Sequence, residues 1–117
     1  MVNLYNSNTS TILIPCRDEA GNIVQLIEKL ILEISTTDSI LIVEGGSKDE
    51  TWELALDLQR RFNPKVRAIK QTGSGKFAAI LTSKNFIDSD LIFIYDSDRT
   101  ISVGDNLKIL EKCKNES

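Results

Sequence analysis

The residues best suited to chemistry are carboxylates that follow predicted strands. Asp96 and Asp98 come directly after an apolar run, and Glu44 ends another one. Residues two apart on an extended chain point to the same side, so both aspartates would need a cation between them. A hard divalent ion such as Mg²⁺ or Mn²⁺ binds one or two carboxylates and completes its shell with water and phosphate oxygens. From spacing alone, a polar turn in which Asp98 caps a helix is the more common arrangement, and both interpretations stay open.

A glycine-rich segment, Gly73-Ser74-Gly75-Lys76, is a second place where an anion could bind. It is not a P-loop, because that motif needs Gly at position 70 and Ser or Thr at position 77, where Lys70 and Phe77 stand. The segment is either a flexible entry to a helix or a helix N-terminus that brings Lys76 near an anionic ligand. The sequence does not decide between the two.

The segment after the second apolar run has the composition of a tight strand-to-helix turn. In Glu44-Gly45-Gly46-Ser47 the glycines tolerate positive φ and Ser47 can cap a helix, but this leaves Glu44 unexplained. Ser47 and Glu50 form a Ser-x-x-Glu capping pattern, which predicts that the second helix begins here. Asn63-Pro64 predicts where this helix ends.

Short apolar runs alternate with amphipathic segments along the chain. Strands are predicted at 11–14, 39–43, 66–69 and 90–95, the last being the most strongly apolar, and a final helix at 105–114. The first helix has apolar residues at three- and four-residue steps: Ile23, Val24, Leu26, Ile27, Leu30, Ile31 and Ile34. The third has Phe77, Ala78, Ile80, Leu81 and Phe86. The alternation predicts a Rossmann-like parallel α/β sheet in the order 3-2-1-4, with helices on both faces.

This topology predicts where a ligand would bind. In an open parallel sheet, ligands bind beyond the carboxyl ends of the strands, where the winding direction reverses. In the order 3-2-1-4 the first and fourth strands flank that reversal. Arg17 and Glu19 would therefore face Asp96 and Asp98 across one crevice.

Composition excludes several classes of protein. The 117 residues fit one domain, and 41% hydrophobic residues are enough for a core that needs no disulfide or structural metal. A net charge of −3 without a basic cluster argues against nucleic-acid binding. The chain has no His, and its two cysteines, Cys16 and Cys113, are predicted to be reduced thiols. With no bilayer-length apolar run and no secretory signal, we expect a soluble, cytoplasmic chain.

Four motifs, taken in order, resemble the donor-binding half of family 2 glycosyltransferases, which have the GT-A fold. They are Ile14-Pro15-Cys16-Arg17-Asp18-Glu19, Val43-Glu44-Gly45-Gly46-Ser47-Lys48-Asp49, Gly75-Lys76, and the DXD motif Asp96-Ser97-Asp98 after Tyr95. The stretch from Asp96 to Ser102 looks most like the branch of dolichol-phosphate mannose synthases and other polyprenyl-phosphate glycosyltransferases. The resemblance implies that residues 1–117 form a single nucleotide-sugar-binding domain without the family's C-terminal acceptor part.

The resemblance also assigns roles to residues. Four of them would line the pocket for the nucleotide base: Pro15, Arg17, Glu19 and Glu44. Asp96 and Ser97 would lie beside the ribose and diphosphate, and Lys76 matches a position near the site. Asp98 matches the ligand of a Mg²⁺ or Mn²⁺ cofactor, with Asp96 and Thr100 as further metal ligands.

The implied chemistry is transfer of a sugar from a UDP- or GDP-sugar to an acceptor, with polyprenyl phosphate as one acceptor class and the cytoplasmic membrane face as one location. No catalytic base is identifiable, because that residue lies beyond the part of the family represented here. Gly45 departs from the family, which frequently has a second acid at this position, and this indicates a variant pocket.

Two alternatives fit the acidic strand ends. One is a remnant that binds nucleotide but does not catalyse transfer, and the other is a receiver-like signalling module that binds Mg²⁺. For any of these, an apolar fourth strand at the edge of the sheet would invite pairing with another chain. We therefore expect a homodimer or an aggregation-prone fragment.

Overall fold

The computed structural model describes residues 9–95. Four strands alternate with three helices, and a short 3₁₀ turn follows the third helix. The elements are β1 (Ser10–Cys16), α1 (Ile23–Glu33), β2 (Asp38–Glu44), α2 (Thr51–Arg61), β3 (Val66–Lys70), α3 (Lys76–Ser83), the 3₁₀ turn (Lys84–Phe86) and β4 (Leu91–Ile94). The helix predicted at 105–114 lies outside the described residues.

The four strands form one parallel sheet in the order β3-β2-β1-β4, which confirms the predicted topology. The register places Ile14 beside Ile42 and Leu13 beside Ile94. Parallel strands need crossover connections, and each helix provides one. The winding direction reverses between β1 and β4, so the predicted crevice position exists in this fold.

Both faces of the sheet are covered by helices, as predicted. On one face, α1 and α2 pack over a cluster that includes Ile12, Ile14, Ile40 and Ile42, all at most 1% exposed. On the other face, α3 packs over Leu13, Leu41 and Val43. Because β1 and β2 are central and covered on both sides, their sequences are nearly continuous apolar runs.

The helix α1 follows the predicted apolar face. Ile23, Ile27 and Leu30 are at most 1% exposed, and the remaining apolar residues of the pattern pack partly buried around them. The helix begins where the Ile23 N–H donates to the Glu19 carbonyl, at 2.8 Å. Removing one fully buried side chain of this size from water contributes roughly 1.5–3 kcal/mol.

The predicted start of the second helix is wrong. Helix α2 begins at Thr51, four residues after Ser47, and Glu50 makes no side-chain capping bond. The Asp49 carboxylate instead accepts from the Thr51 backbone N–H at 3.0 Å and from the Thr51 hydroxyl. The Ser47 hydroxyl is used elsewhere, as the acceptor for the backbone N–H of Asp18.

The third helix and the fourth strand differ in part from expectation. Phe77 is 72% and Leu81 54% exposed, so these two do not face the sheet as predicted. Of the predicted residues Ile80 packs against the sheet, beside the fully buried Ala79. The strand predicted to be strongest, β4, has only four residues in alternating burial, and Ile92 is 53% exposed. These apolar side chains are exposed among the residues described. The expected homodimer stays a prediction.

Candidate functional site

The carboxyl ends of the strands meet at one edge of the sheet and carry the predicted site. Cys16, Glu44 and Lys70 end the first three strands. Tyr95 follows β4, is 5% exposed, and donates its backbone N–H to the Leu13 carbonyl at 2.8 Å. The loops that follow β1, β2 and β3 therefore leave the sheet at the same edge.

The loops after β1 and β2 are clasped to each other by two aspartates. The Asp18 carboxylate accepts the backbone N–H groups of Lys48 at 2.7 Å and Asp49 at 3.4 Å. The Asp49 carboxylate accepts the backbone N–H of Ala20 at 3.2 Å. Asp18 has φ of 52°, a left-handed conformation that aspartate tolerates better than most residues. We call these reciprocal bonds the loop clasp.

Glu19 connects the clasp to the core. Its backbone N–H donates to the hydroxyl of Thr51 at 2.9 Å, and Thr51 is fully buried at the start of α2. The Asp49 carboxylate that binds Thr51 has a pKa below its usual value, chiefly because of the hydrogen bond from the Thr51 side chain. The first-strand loop is thus hydrogen-bonded to the start of α2.

The side chain of Glu44 forms hydrogen bonds within the turn that follows β2. It is 3% exposed, and its carboxylate accepts the backbone N–H groups of Gly46, at 3.1 Å, and Ser47. Burial alone would raise the pKa of Glu44, but the hydrogen bonds from Ser47 and Gly46 and the charge of Lys70 outweigh burial and lower it. Glu44 is therefore ionised at neutral pH. Glu44 thus holds the backbone of the turn that follows β2, which explains why an acid stands at this position.

Cys16 lies in the same region, but its thiol is unreactive. It is a buried free thiol. Burial, followed by the negative charges of Glu44, Glu19 and Asp49, raises the pKa of Cys16 from 9.0 to about 12. A thiol that stays protonated is a poor nucleophile and a poor metal ligand.

The glycine-rich segment after β3 is held by Gln71. The Gln71 side-chain amide donates from Nε2 to the carbonyls of Gly73, at 3.2 Å, and Gly75, at 3.0 Å. Its backbone N–H donates to the Glu44 carbonyl at 2.8 Å. Gly73 and Gly75 have φ of 85° and 89°, which explains glycine at both positions. The side chain of Lys76 is outside the described set, so its predicted role stays a prediction.

The structure brings together part of the predicted site. Pro15 is half-buried, Arg17 is exposed, and both lie with Glu19 and Glu44 at the carboxyl edge. The other predicted residues lie outside the described range: Asp96, Ser97, Asp98 and Thr100. Within residues 9–95, acids and thiols form no group of three that could hold a metal ion. The loop clasp was missed by sequence reasoning, because its partners are about 30 positions apart.

Comparison with known proteins identifies the family. Residues 11–117 match the model for Glycosyl transferase family 2, and the chain belongs to this family. It is 26% identical over 86 residues to the uncharacterized glycosyltransferase YaiP of Escherichia coli (strain K12). That match covers 74% of the chain and 21% of YaiP, so the chain spans about a fifth of this relative.

Two solved structures share the fold. Glucosyl-3-phosphoglycerate synthase of Mycobacterium tuberculosis, in complex with Mn²⁺, UDP and glucosyl-3-phosphoglycerate, has a TM-score of 0.63 at 20% identity, over 78% of the chain and 34% of its own. TarS of S. aureus has a TM-score of 0.63 at 14% identity, over 89% of the chain and 20% of its own. The parallel sheet with its helices is therefore the fold of GT-A glycosyltransferases.

No helix within residues 9–95 combines the length and the apolar character needed to cross a membrane.

Proposed function

We propose that residues 1–117 form the donor-binding part of a hexosyltransferase that binds a UDP- or GDP-sugar with Mg²⁺ or Mn²⁺. The observation that carries this proposal lies at the carboxyl edge of the sheet, where the winding reverses between β1 and β4. There the loop clasp and the Glu19–Thr51 hydrogen bond hold the backbone of the loop that carries Arg17 and Glu19. Family membership and the UDP in the Mycobacterium tuberculosis neighbour support a nucleotide-sugar donor. The base would lie against Pro15, Arg17 and Glu19.

The charge of the crevice favours a cation beside the donor. Glu44 and Asp49 have lowered pKa values and are ionised at neutral pH. A diphosphate adds negative charge at the same edge, and the repulsion needs a counter-ion. We propose Asp98 as the main metal ligand, with Asp96 and Thr100. When bound, the ion stabilises charge that develops on the leaving diphosphate.

The acceptor is proposed from the resemblance of the DXD segment. A polyprenyl phosphate would attack the anomeric carbon of the donor sugar through a phosphate oxygen, and it needs no general base to activate it. Such an acceptor also implies that the protein works at the cytoplasmic face of a membrane.

Titration calorimetry tests donor binding. The whole chain is titrated with UDP- and GDP-sugars in the presence of Mn²⁺ and again with EDTA. We expect binding that depends on the metal and is lost in Asp98→Ala. Asp88→Ala is the matched control, because Asp88 is an exposed aspartate that precedes β4 at the opposite edge of the sheet. Absence of binding to both nucleotides would contradict the proposal.

A domain that binds nucleotide without catalysing transfer is the second candidate. Incubation with labelled donor and a polyprenyl phosphate in detergent distinguishes the two: labelled lipid supports the transferase, and binding without label supports the second candidate. A receiver-like module is disfavoured, because receiver domains have the strand order 2-1-3-4-5 and this sheet has β2 between β1 and β3.

A further inference from the structure

The backbone at Gly45, between β2 and α2, does not require glycine. Positive φ occurs at Gly46, Gly73 and Gly75. A Cβ at position 45 would lie 3.4 Å from the Cys16 carbonyl oxygen and 3.4 Å from Oε1 of Gln71, which is ordinary contact. The side-chain amide of Gln71 therefore lies beside the open space on the Cβ side of Gly45.

Hydrogen bonds determine which way the Gln71 side-chain amide is turned. Its Nε2 donates to two carbonyl oxygens, those of Gly73 and Gly75. Rotating the amide by half a turn would place Oε1 against both carbonyls, and acceptors repel each other. Oε1 therefore stays on the side of Gly45. No donor within the described part of the chain is hydrogen-bonded to it.

We infer that Oε1 of Gln71 is the acceptor that reads the donor's base at the carboxyl edge of the sheet. The inference rests on the proposed function. An acceptor in this place pairs with a ring imide N–H, which uracil carries at N3 and guanine at N1. Cytosine N3 and adenine N1 are themselves acceptors and would leave two acceptors facing each other. The site would thus select uridine or guanosine diphosphates.

The size of the selection follows from the cost of an unpaired polar group. A site built to hydrogen-bond an N–H rejects an analogue that lacks it, and one unpaired neutral acceptor costs about tenfold or more in affinity.

The test measures dissociation constants of UDP, GDP, CDP, ADP and N3-methyl-UDP with Mn²⁺ by titration calorimetry. For the wild-type chain we expect UDP or GDP to bind about tenfold or more tightly than CDP and ADP, and N3-methylation to remove that advantage. In Gln71→Leu the ratio of CDP to UDP dissociation constants should fall to within about threefold of unity. Gln25→Leu, an exposed glutamine on α1, is the matched control and should keep the wild-type ratio.

The outcomes separate this inference from the proposed function. If the wild-type chain binds no nucleotide, the proposed function fails and the inference with it. If it binds nucleotides but Gln71→Leu keeps the wild-type ratio, only the inference is overturned. If Gln71→Leu does not fold, as seen by circular dichroism, the N3-methyl-UDP comparison on the wild-type chain decides: equal affinity for UDP and N3-methyl-UDP overturns the inference.

Discussion

Removal of the Asp18 side chain tests whether the loop clasp holds the crevice edge in place. The Asp18 carboxylate accepts the Lys48 N–H at 2.7 Å, and its backbone has φ of 52°. Asp18→Ala loses the acceptor and places alanine in the left-handed region. Asp18→Gly loses the acceptor but adopts this φ easily, and Asp18→Asn keeps an acceptor oxygen and tolerates this φ.

These differences predict a graded loss of stability. A hydrogen bond to a charged acceptor contributes roughly 1.5–3 kcal/mol, which we discount to about 1 kcal/mol because Asp18 is exposed. The left-handed conformation costs alanine roughly 1–2 kcal/mol. We therefore expect losses in the free energy of unfolding of about 2–3 kcal/mol for Asp18→Ala, about 1 for Asp18→Gly and under about 0.5 for Asp18→Asn.

Urea unfolding followed by circular dichroism measures the series, with Asp88→Ala as an exposed control that should match the wild type. Nucleotide affinity should fall in the same order, because the clasp fixes the residues proposed to line the base pocket. Equal stabilities for Asp18→Ala and Asp18→Asn would refute the role assigned to the carboxylate and the backbone. Unchanged nucleotide affinity in a destabilised Asp18→Ala would refute the link between the clasp and the pocket.

Two further predictions concern the core. Leu58→Ala should lower the free energy of unfolding by about 2–5 kcal/mol, since Leu58 is fully buried. Leu32→Ala should change it by under about 0.5 kcal/mol, since Leu32 is 84% exposed. Urea unfolding measures both variants, and equal losses of stability would contradict the packing. Folding raises the pKa of Cys16 from 9.0 to about 12. The protonated thiol therefore contributes fully to the free energy of unfolding below pH 9, and this contribution is lost as the pH rises from 9 to about 12. The free energy of unfolding of Cys16→Ala should therefore decline less between pH 9 and about 12 than that of the wild type. Identical pH profiles of stability for the two proteins would contradict the burial of the thiol.

The sequence predicted most of the sheet because short apolar runs and helical periodicity are local signals. The four strands, their order and the buried face of α1 all follow from the alternation and from the rules for parallel crossovers. The strand order also predicted the edge at which Arg17, Glu19 and Glu44 lie.

The errors arose where a long-range contact overrides a local pattern. Ser47 and Glu50 have the spacing of a capping box, but Ser47 bonds to the first-strand loop and Asp49 takes over the start of α2. Sequence reasoning also missed Gln71, which lies just outside the glycine-rich segment, because its place beside Gly45 depends on two loops being adjacent in space. Neither contact leaves a signal in the spacing of residues.

The most direct test of the central claim is amide NMR of the ¹⁵N-labelled chain titrated with UDP- and GDP-sugars in the presence of Mg²⁺. A donor at the carboxyl edge predicts that the largest shifts occur at residues 17–19, 45–47 and 71–75, which follow β1, β2 and β3. Residues 36–38 and 63–65, at the opposite edge, should stay unchanged. Shifts confined to the opposite edge, or no shifts with either nucleotide, would contradict a nucleotide-sugar site at the carboxyl ends of the strands.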